Sequence, residues 1–289
     1  MHHLFVLNKS SLGRKFKSCT NDIKKICINN SLSYEIIATK SIIELNDKLR
    51  RYNTNSNAVY YAVGGDGTFQ SLVNAVDLKK CVLQYLPYGS GNNAYITFYN
   101  KPFDLKKDIL SSSTKKADLG QANGEYFVTM FGLALDAHGG KNLAKFRWLP
   151  SGGKAKYFAS IIYTMLFDLK PVVVKMTIDG AENENISSFI SITNGPTTGG
   201  NSPISPQSSA FDGKLNALIS DELTLLQALE LFSKVKTGEH LNNPHLIQYL
   251  FEHIVFKSHD ELMYEIDGEI RYAKNIDVKV CKQAITLKG

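Results

Sequence analysis

The first 86 residues alternate between short apolar runs and longer amphipathic runs. Apolar runs of strand length occupy residues 3–7, 34–38, 58–63 and 81–86, and the third is apolar at every position, as in a strand covered on both faces. Between the runs, apolar residues recur at helical spacing, as in Cys19, Ile23, Ile26 and Cys27. This order predicts a parallel sheet with helices on both faces.

The pattern changes after about residue 115, where strand-like runs separated by turn residues dominate and predict an antiparallel sandwich. These runs cover residues 126–135, 172–178, 186–193, 215–220, 262–266 and 276–287. Two helices are predicted among them, over residues 154–169 and about 222–235. We therefore predict an α/β domain at residues 1–117 and a β-sandwich domain at residues 118–289, allowing for the final residues to return to the first domain. The serine-rich residues 111–114 suit a hinge.

The amino-acid composition excludes several classes of protein. The chain has 289 residues, of which 43% are hydrophobic and 21% charged, which excludes a disordered or collagen-like chain. Four cysteines without a C-x-x-C pair indicate reduced thiols and a cytoplasmic protein, and no apolar run is long enough for a transmembrane helix. The net charge of +6 suits nucleotide phosphates or an acidic membrane surface. Because few of the cations are arginine, nucleic acid is the least favoured partner.

Three polar, mostly glycine-rich loops follow the first, third and fourth predicted strands. Their candidate nucleotide-binding residues are Asn8, Lys9, Ser10, Gly64, Gly65, Asp66, Gly67, Thr68, Gly89, Ser90, Gly91 and Asn92. The carboxyl ends of parallel strands meet at one edge of a sheet, so the loops should face one crevice. Glycine lets backbone N–H groups approach a phosphate, and a helix N-terminus favours an anion. Asp66 could meet phosphate-bound Mg²⁺; the structural alternative is a tight turn in which Asp66 caps the next helix.

The three loops, with the sequences NKSSLG, GGDGT and PYGSGNN, together resemble the catalytic domain of the diacylglycerol kinase family, which includes bacterial lipid kinases and sphingosine kinases. Later segments match the family's motifs in the same order. They are DLG at 118–120, FGLALDA at 131–137, NGP at 194–196, GG at 199–200, ISP at 204–206, FDGKL at 211–215 and DGE at 267–269.

This resemblance implies a kinase that binds ATP between its two domains and transfers the γ-phosphoryl group to a lipid hydroxyl, with Mg²⁺ as a cofactor. It implies Asp267 as the catalytic base, with Glu269 beside it on the same strand face, and Asp66 as the second candidate for the base. Asp66 and Asp212 are the implied metal ligands. A plain hairpin turn is the alternative interpretation of residues 267–269, because Asp-Gly is a strong turn sequence.

The chain also departs from the family's pattern. Lys9 stands where the family usually has proline, Gln70 and Ser71 follow the GGDGT loop in place of asparagine and glutamate, and Phe211 stands where many members have aspartate. Fewer carboxylates weaken a structural Mg²⁺ site. Two alternatives therefore stay open: an NAD kinase-type enzyme on a related fold, and a homologue that binds lipid or nucleotide without catalysis.

The predicted helix at residues 154–169 is intensely apolar, and basic residues including Lys141, Lys145 and Arg147 precede it. This pattern suits peripheral association with a membrane that carries the lipid substrate, and a helix packed in the core is the alternative. A free sandwich edge could pair in a homodimer. We interpret His2 and His3 as an expression remnant.

Overall fold

The computed structural model describes residues 2–51, 58–146, 148–149, 153–199 and 201–289. The predicted loop at residues 53–57, together with Arg147 and Gly200, lies outside them. The chain divides into two compact units, Met1–Ala117 with Gln283–Gly289, and Asp118–Lys282. The last seven residues thus return to the first unit. Across the described residues, no helix combines the length and apolar character needed to cross a bilayer.

The first unit is built on a parallel sheet, which confirms the predicted α/β class. Its strands are β1 (His2–Asn8), β2 (Tyr34–Thr39), β3 (Ala58–Gly64) and β4 (Val82–Pro87). They lie in the order β4–β3–β1–β2, and Thr286 and Leu287 near the chain's end pair in parallel with Val82 and Leu83 of β4. β1 and β3 are buried almost throughout, because helices cover both faces.

The helices of the first unit pack on both sides of this sheet. They are α1 (Lys9–Leu12), α2 (Phe16–Asn29), α3 (Ile42–Arg51), α4 (Asp66–Ala75), α5 (Asn93–Phe98) and α6 (Leu105–Leu110). The predicted stripe of α2 is buried at Cys19, Ile23 and Cys27, where it packs on β1 and β3 together with Ile109 of α6. α3 and α4 pack against each other. α5 and α6 are only six residues each and were not predicted from the sequence.

The second unit is built mainly from antiparallel strands. After β5 (Thr114–Ala122), which begins in the first unit, they are β6 (Glu125–Phe127), β7 (Met130–Ala134), β8 (Val172–Ile178), β9 (Ala181–Ser187), β10 (Phe189–Thr193), β11 (Leu215–Ser220), β12 (Leu246–Phe251), β13 (His253–Ile266) and β14 (Glu269–Lys288). β14 ends in the first unit. The helices are α7 (Leu135–Asn142), α8 (Gly153–Phe167) and α9 (Leu225–Ser233).

Strand β13 contributes to both halves of the predicted sandwich. Its residues 254–257 pair with β8, and its residues 264–266 pair with β7. A register irregularity between Lys257 and Leu262 separates the two pairings, so the strand can bend from one group of strands to the other. Aromatic and aliphatic side chains such as Phe131, Phe256 and Ile276 fill the core.

Two predicted strands differ from the observed ones, and one observed strand was not predicted. The predicted strand at residues 126–135 is broken at Val128 and Thr129, whose amides bind a side chain instead of a neighbouring strand. The predicted strand at residues 186–193 ends and restarts at Ser188. β12 was not predicted, because its middle residues, including Ile247 and Leu250, break the alternation of buried and exposed positions.

Candidate active site

The second and third glycine-rich loops contact each other through Gly65 and Gly89. A Cβ added to Gly89 would lie 2.4 Å from the Cα of Gly65, a distance that only glycine permits. The Tyr88 amide donates to the Gly64 carbonyl at 2.8 Å, which ties the ends of β3 and β4 together. The predicted meeting of these loops at the carboxyl edge of the sheet is therefore observed. Because both residues are glycines, backbone atoms and not side chains form the contact between the loops.

The Asp66 side chain, in the second loop, connects that loop to the third through hydrogen bonds. Its Oδ2 accepts the Asn93 amide at 3.1 Å, and its Oδ1 accepts the Ala94 amide at 3.0 Å and the Tyr85 hydroxyl at 3.3 Å. Burial, and then the Asp66 charge, raise the pKa of Tyr85 well above its usual value, so this hydroxyl remains a donor. The alternative interpretation, in which Asp66 caps its own helix, is not observed, because Gly65 is the N-cap and the Asp66 carboxylate accepts amides at the start of α5.

The Asp66 interaction orders the rest of the third loop. Asn92 adopts a left-handed conformation with φ of 58°, and its Oδ1 accepts the Gly89 amide and the Tyr85 hydroxyl, both at 3.0 Å. Ser90, at the tip, is exposed, and a Cβ on Gly91 would lie 3.1 Å from Asp66 Oδ2. The loop is thus held by its own side chains around a glycine-lined turn.

The first loop lies beside the second. The Asn8 side chain accepts the Ser10 amide at 3.0 Å and donates to Thr68 Oγ1 at 3.4 Å. Thr68 in turn lies against Gly64, where a Cβ would be 2.5 Å from its hydroxyl. Lys9 is exposed, so its charge is available to an anion, whereas the Ser10 hydroxyl donates to the Lys40 carbonyl at 2.7 Å. All three loops predicted to bind nucleotide therefore form one continuous surface within the first unit.

Asp267 lies in the second unit, in the two-residue turn between β13 and β14. Asp267 and Gly268 have φ of 47° and 89°, as in the hairpin turn that the Asp-Gly sequence favours. The carboxylate turns inward: Oδ1 accepts the Thr129 amide at 2.9 Å, the Thr129 hydroxyl at 2.5 Å and the Met130 amide at 3.0 Å, and Oδ2 accepts the Val128 amide at 2.6 Å. Asp267 thereby anchors the segment between β6 and β7.

The expectation that Glu269 shares a strand face with Asp267 is wrong. Asp267 belongs to the turn and points inward, whereas Glu269 begins β14, is exposed, and lies 4.0 Å from the Arg271 guanidinium. Burial raises the pKa of Asp267, and hydrogen bonds from Thr129 and the neighbouring amides oppose that rise. The roles of Asp267 and Glu269 in catalysis stay predictions.

A buried acidic pair in the second unit was not predicted as a site. Asp136 of α7 and Glu265 of β13 are 3% and 2% exposed, and Glu265 Oε2 lies against Gly140, one helical turn after Asp136. Burial raises the pKa of Asp136 to about 7, and burial together with the Asp136 charge raises the pKa of Glu265 well above its usual value. The Tyr157 hydroxyl donates to Asp136 at 3.4 Å. A lone glutamate inside the apolar end of β13 was the sequence feature that could have indicated this pair.

The described residues do not fit a resident magnesium site. Asp212 is exposed, and its Oδ1 accepts the Lys214 amide in a local turn, while the nearby Gly213 amide donates to Asp118 at 2.7 Å. The Asp66 oxygens are occupied by amide and hydroxyl donors. No group of three or more Asp, Glu, His or Cys side chains among these residues is arranged to hold a metal. The geometry thus gives Asp66 and Asp212 structural contacts, and their role as metal ligands stays a prediction.

Two models of known protein families match this chain. The diacylglycerol kinase catalytic domain matches residues 2–122, and the YegS C-terminal NAD kinase beta sandwich-like domain matches residues 129–288, more than half of the chain. The chain belongs to the diacylglycerol kinase family. As a member of this family it is a lipid kinase, and its glycine-rich loops lie in the part matched by the catalytic domain.

Individual relatives of this lipid kinase are distant but match over most of their length. A protein from Staphylococcus haemolyticus named as a lipid kinase is 26% identical over 287 residues, covering 96% of this chain and 89% of the relative. A diacylglycerol kinase from Bacillus subtilis is 26% identical, covering 72% of this chain and 70% of its own length. A solved structure from Bacillus anthracis, named as a diacylglycerol kinase, has a TM-score of 0.79 at 17% identity and covers 99% of this chain and 94% of its own. It shows the same fold.

Proposed function

We propose that this lipid kinase transfers the γ-phosphoryl group of ATP to the hydroxyl of a membrane lipid, diacylglycerol or a related lipid alcohol. The observation that carries the proposal is the contact between Gly65 and Gly89, which joins two glycine-rich loops at the carboxyl edge of a parallel sheet. A backbone-lined turn at the start of α4 suits a phosphate chain. Lys9 adds an exposed positive charge beside it.

Phosphoryl transfer depends mainly on positioning the phosphates and neutralising their charge. The hydrogen bonds of Asp66 hold the third loop in place, so this side chain acts as a positioning residue in the proposal. Asp267 is the proposed base, with one oxygen, Oδ2, that accepts a single amide. Mg²⁺ bound to the phosphates of the nucleotide would neutralise part of their charge, and no step depends on a protein metal site.

The solvent-exposed face of α8 supports a membrane lipid as the phosphoryl acceptor. Phe158 and Leu166, spaced eight residues apart, are 58% and 48% exposed with the half-buried Ile162 between them, whereas Ile161 and Met165 are buried. The helix therefore packs in the core on one side, as the core interpretation requires, and presents an apolar stripe on the other, which supports the membrane interpretation. Lys145, which precedes α8 in the chain, lies beside Tyr163 of α8, with its Nζ 3.0 Å from the Tyr163 hydroxyl. We propose that this stripe docks the cytoplasmic enzyme on an anionic membrane surface.

A vesicle sedimentation experiment tests the docking. The double variant Phe158→Ser/Leu166→Ser should bind phosphatidylcholine vesicles containing phosphatidylglycerol at least tenfold more weakly than the unaltered protein. Leu226, which is 78% exposed on α9, provides the control Leu226→Ser, which should bind normally. Equal loss in the control would show that exposed apolar area in general, and not α8, carries the binding.

An acceptor panel tests the reaction. The full chain is incubated with radiolabelled ATP and, separately, diacylglycerol, a sphingoid base, phosphatidylglycerol, a polyprenol and NAD. The proposal expects label in one or more lipids and none in NAD. Label in NAD alone would establish the NAD kinase alternative, and no transfer to any acceptor would establish the non-catalytic one. The predicted homodimer is a separate question, which analytical ultracentrifugation answers.

A further inference from the structure

A cavity of about 310 Å³ lies in the first unit at the edge of the sheet opposite the glycine-rich loops. The loops follow the carboxyl ends of β1, β3 and β4, whereas the cavity is lined by residues near the amino ends of the same strands, His3, Val59 and Val82. Ile109 of α6 and Lys288 at the end of β14 complete its floor. No part of the proposed phosphoryl-transfer machinery lies in it.

The unusual member of this lining is Lys288. It is 6% exposed, and its ammonium donates to the Tyr61 hydroxyl and the Ile109 carbonyl, both at 2.8 Å. Both acceptors are neutral, and no carboxylate of the described residues forms an ion pair with it. A buried charge without a counter-charge is costly, so burial lowers the pKa of Lys288 from its usual value. Its Nζ lies 5.5 Å from the centre of the Tyr61 ring, which offsets part of the charge. An ammonium has three N–H donors, and the described residues accept two of them and supply no negative charge.

The group next to Lys288 does not supply a negative charge either. The imidazole of His3 is 5% exposed and lies 2.8 Å from the same Tyr61 hydroxyl. Burial, and then the charge of Lys288, lower the pKa of His3 to about 4, so the ring is neutral at pH 7. His3 lies within β1, so its ring is part of the described fold. The interpretation of His2 and His3 as an expression remnant stays a prediction. The cavity therefore carries a net positive charge.

The rest of the lining indicates which kind of molecule would fit the cavity. Apolar side chains dominate the walls, and the exposed Leu110, Ser112 and Thr114 form the rim, so the cavity opens beside the serine-rich segment. At about 30 Å³ for each water-sized volume, the space holds on the order of ten non-hydrogen atoms. A single buried cation matches a single negative charge, and apolar walls match a hydrocarbon chain.

We propose that this cavity is a binding site for a small organic carboxylate with an apolar chain of about eight carbons, whose carboxylate pairs with Lys288. The pair is a charge-assisted hydrogen bond that uses the third N–H of the ammonium. The apolar chain lies against Val59, Val82 and Ile109. The site is independent of the nucleotide loops and of the identity of the lipid acceptor.

Isothermal titration of the full chain with octanoate tests the proposal. The unaltered protein should bind one equivalent saturably, and Lys288→Met, which keeps the length and apolar body of the side chain, should bind at least tenfold more weakly. Octan-1-ol, which has no charge, should bind the two proteins alike. Lys24, exposed on α2, provides the control Lys24→Met, which should bind octanoate normally.

If Lys288→Met does not fold, a second variant tests whether octanoate binds in the cavity. Val82→Phe fills the cavity while leaving the ammonium in place, and it should abolish octanoate binding. Absence of saturable binding to the unaltered protein at millimolar octanoate, or unchanged binding in a folded Lys288→Met or Val82→Phe, would overturn the proposal. Tighter binding of octyl phosphate than of octanoate would overturn the choice of a carboxylate.

Discussion

Gly65 and Gly89 approach each other so closely that a Cβ on Gly89 would lie 2.4 Å from the Cα of Gly65, whereas a Cβ on Gly65 would lie 3.4 Å from the Cα of Gly89. The contact is therefore intolerant of a side chain on one partner and compatible with a methyl group on the other. This asymmetry provides a matched pair of variants for the loops to which we assign the phosphates.

Gly89→Ala should force the two loops apart. We expect it to lower the free energy of unfolding by about 1–3 kcal/mol, as overpacking does, and to raise the KM for ATP. Gly65→Ala has the same change in composition, a φ of −95° that alanine adopts, and ordinary van der Waals spacing, so it should be clearly less destabilising. Urea denaturation measures both. Equal destabilisation by the two substitutions would contradict the geometry.

The Asp66 carboxylate should matter more for position than for proton transfer. In Asp66→Asn, the amide group would face a backbone N–H of Asn93 or Ala94, which leaves a donor unsatisfied and costs about 1–3 kcal/mol. Tyr85→Phe removes only the hydroxyl donor and should cost about 0.5–1.5 kcal/mol. Asp22→Asn, at an exposed position of α2, is the control. An Asp66→Asn protein as stable as this control would show that the carboxylate does not hold the third loop.

The sequence predicted the first unit better than the details of the second. Continuous burial of β3 and the periodic apolar face of α2 are local patterns, so the parallel sheet and its loop edge could be predicted from them. The partners of Asp66 and Asp267 could not, because each carboxylate binds amides distant in the chain, up to 139 positions away for Val128. Lys288 was missed for the same reason: its environment is formed by strands and a helix distant in sequence.

If Asp267 is the base, its ionisation should control the acid limb of the kcat profile. The Thr129 hydroxyl lowers the pKa of Asp267, so Thr129→Val should raise it. Since a base works only when deprotonated, the acid limb should move to higher pH, by about one unit. Thr177→Val, at a half-buried position of β8, should leave the profile unchanged. An unmoved limb in Thr129→Val, with normal folding, would remove Asp267 from the role of base.

The acidic pair Asp136 and Glu265 should make the second unit less stable as the pH rises. An acid whose pKa is raised in the folded state binds its proton more tightly there, so unfolding releases it and stability falls between the unfolded and folded pKa values. For Asp136 that window is about pH 4 to 7. Asp136→Asn should reduce the fall by on the order of 3 kcal/mol.

Urea denaturation at pH 5 and pH 8 measures this difference. Asp260→Asn, at an exposed position in the same unit, should retain the full pH dependence. A fall in stability that is the same in Asp136→Asn and in the unaltered protein would show that Asp136 does not titrate in this window.

Transfer of the phosphoryl group from ATP to a lipid hydroxyl is measured by ³¹P NMR of the full chain with ATP and 1,2-dioctanoylglycerol. We expect ADP and a lipid phosphomonoester to appear in equal amounts, and both to be reduced together in Gly89→Ala. Formation of ADP with only inorganic phosphate, or of a phosphorylated product only when NAD replaces every lipid alcohol, would contradict it.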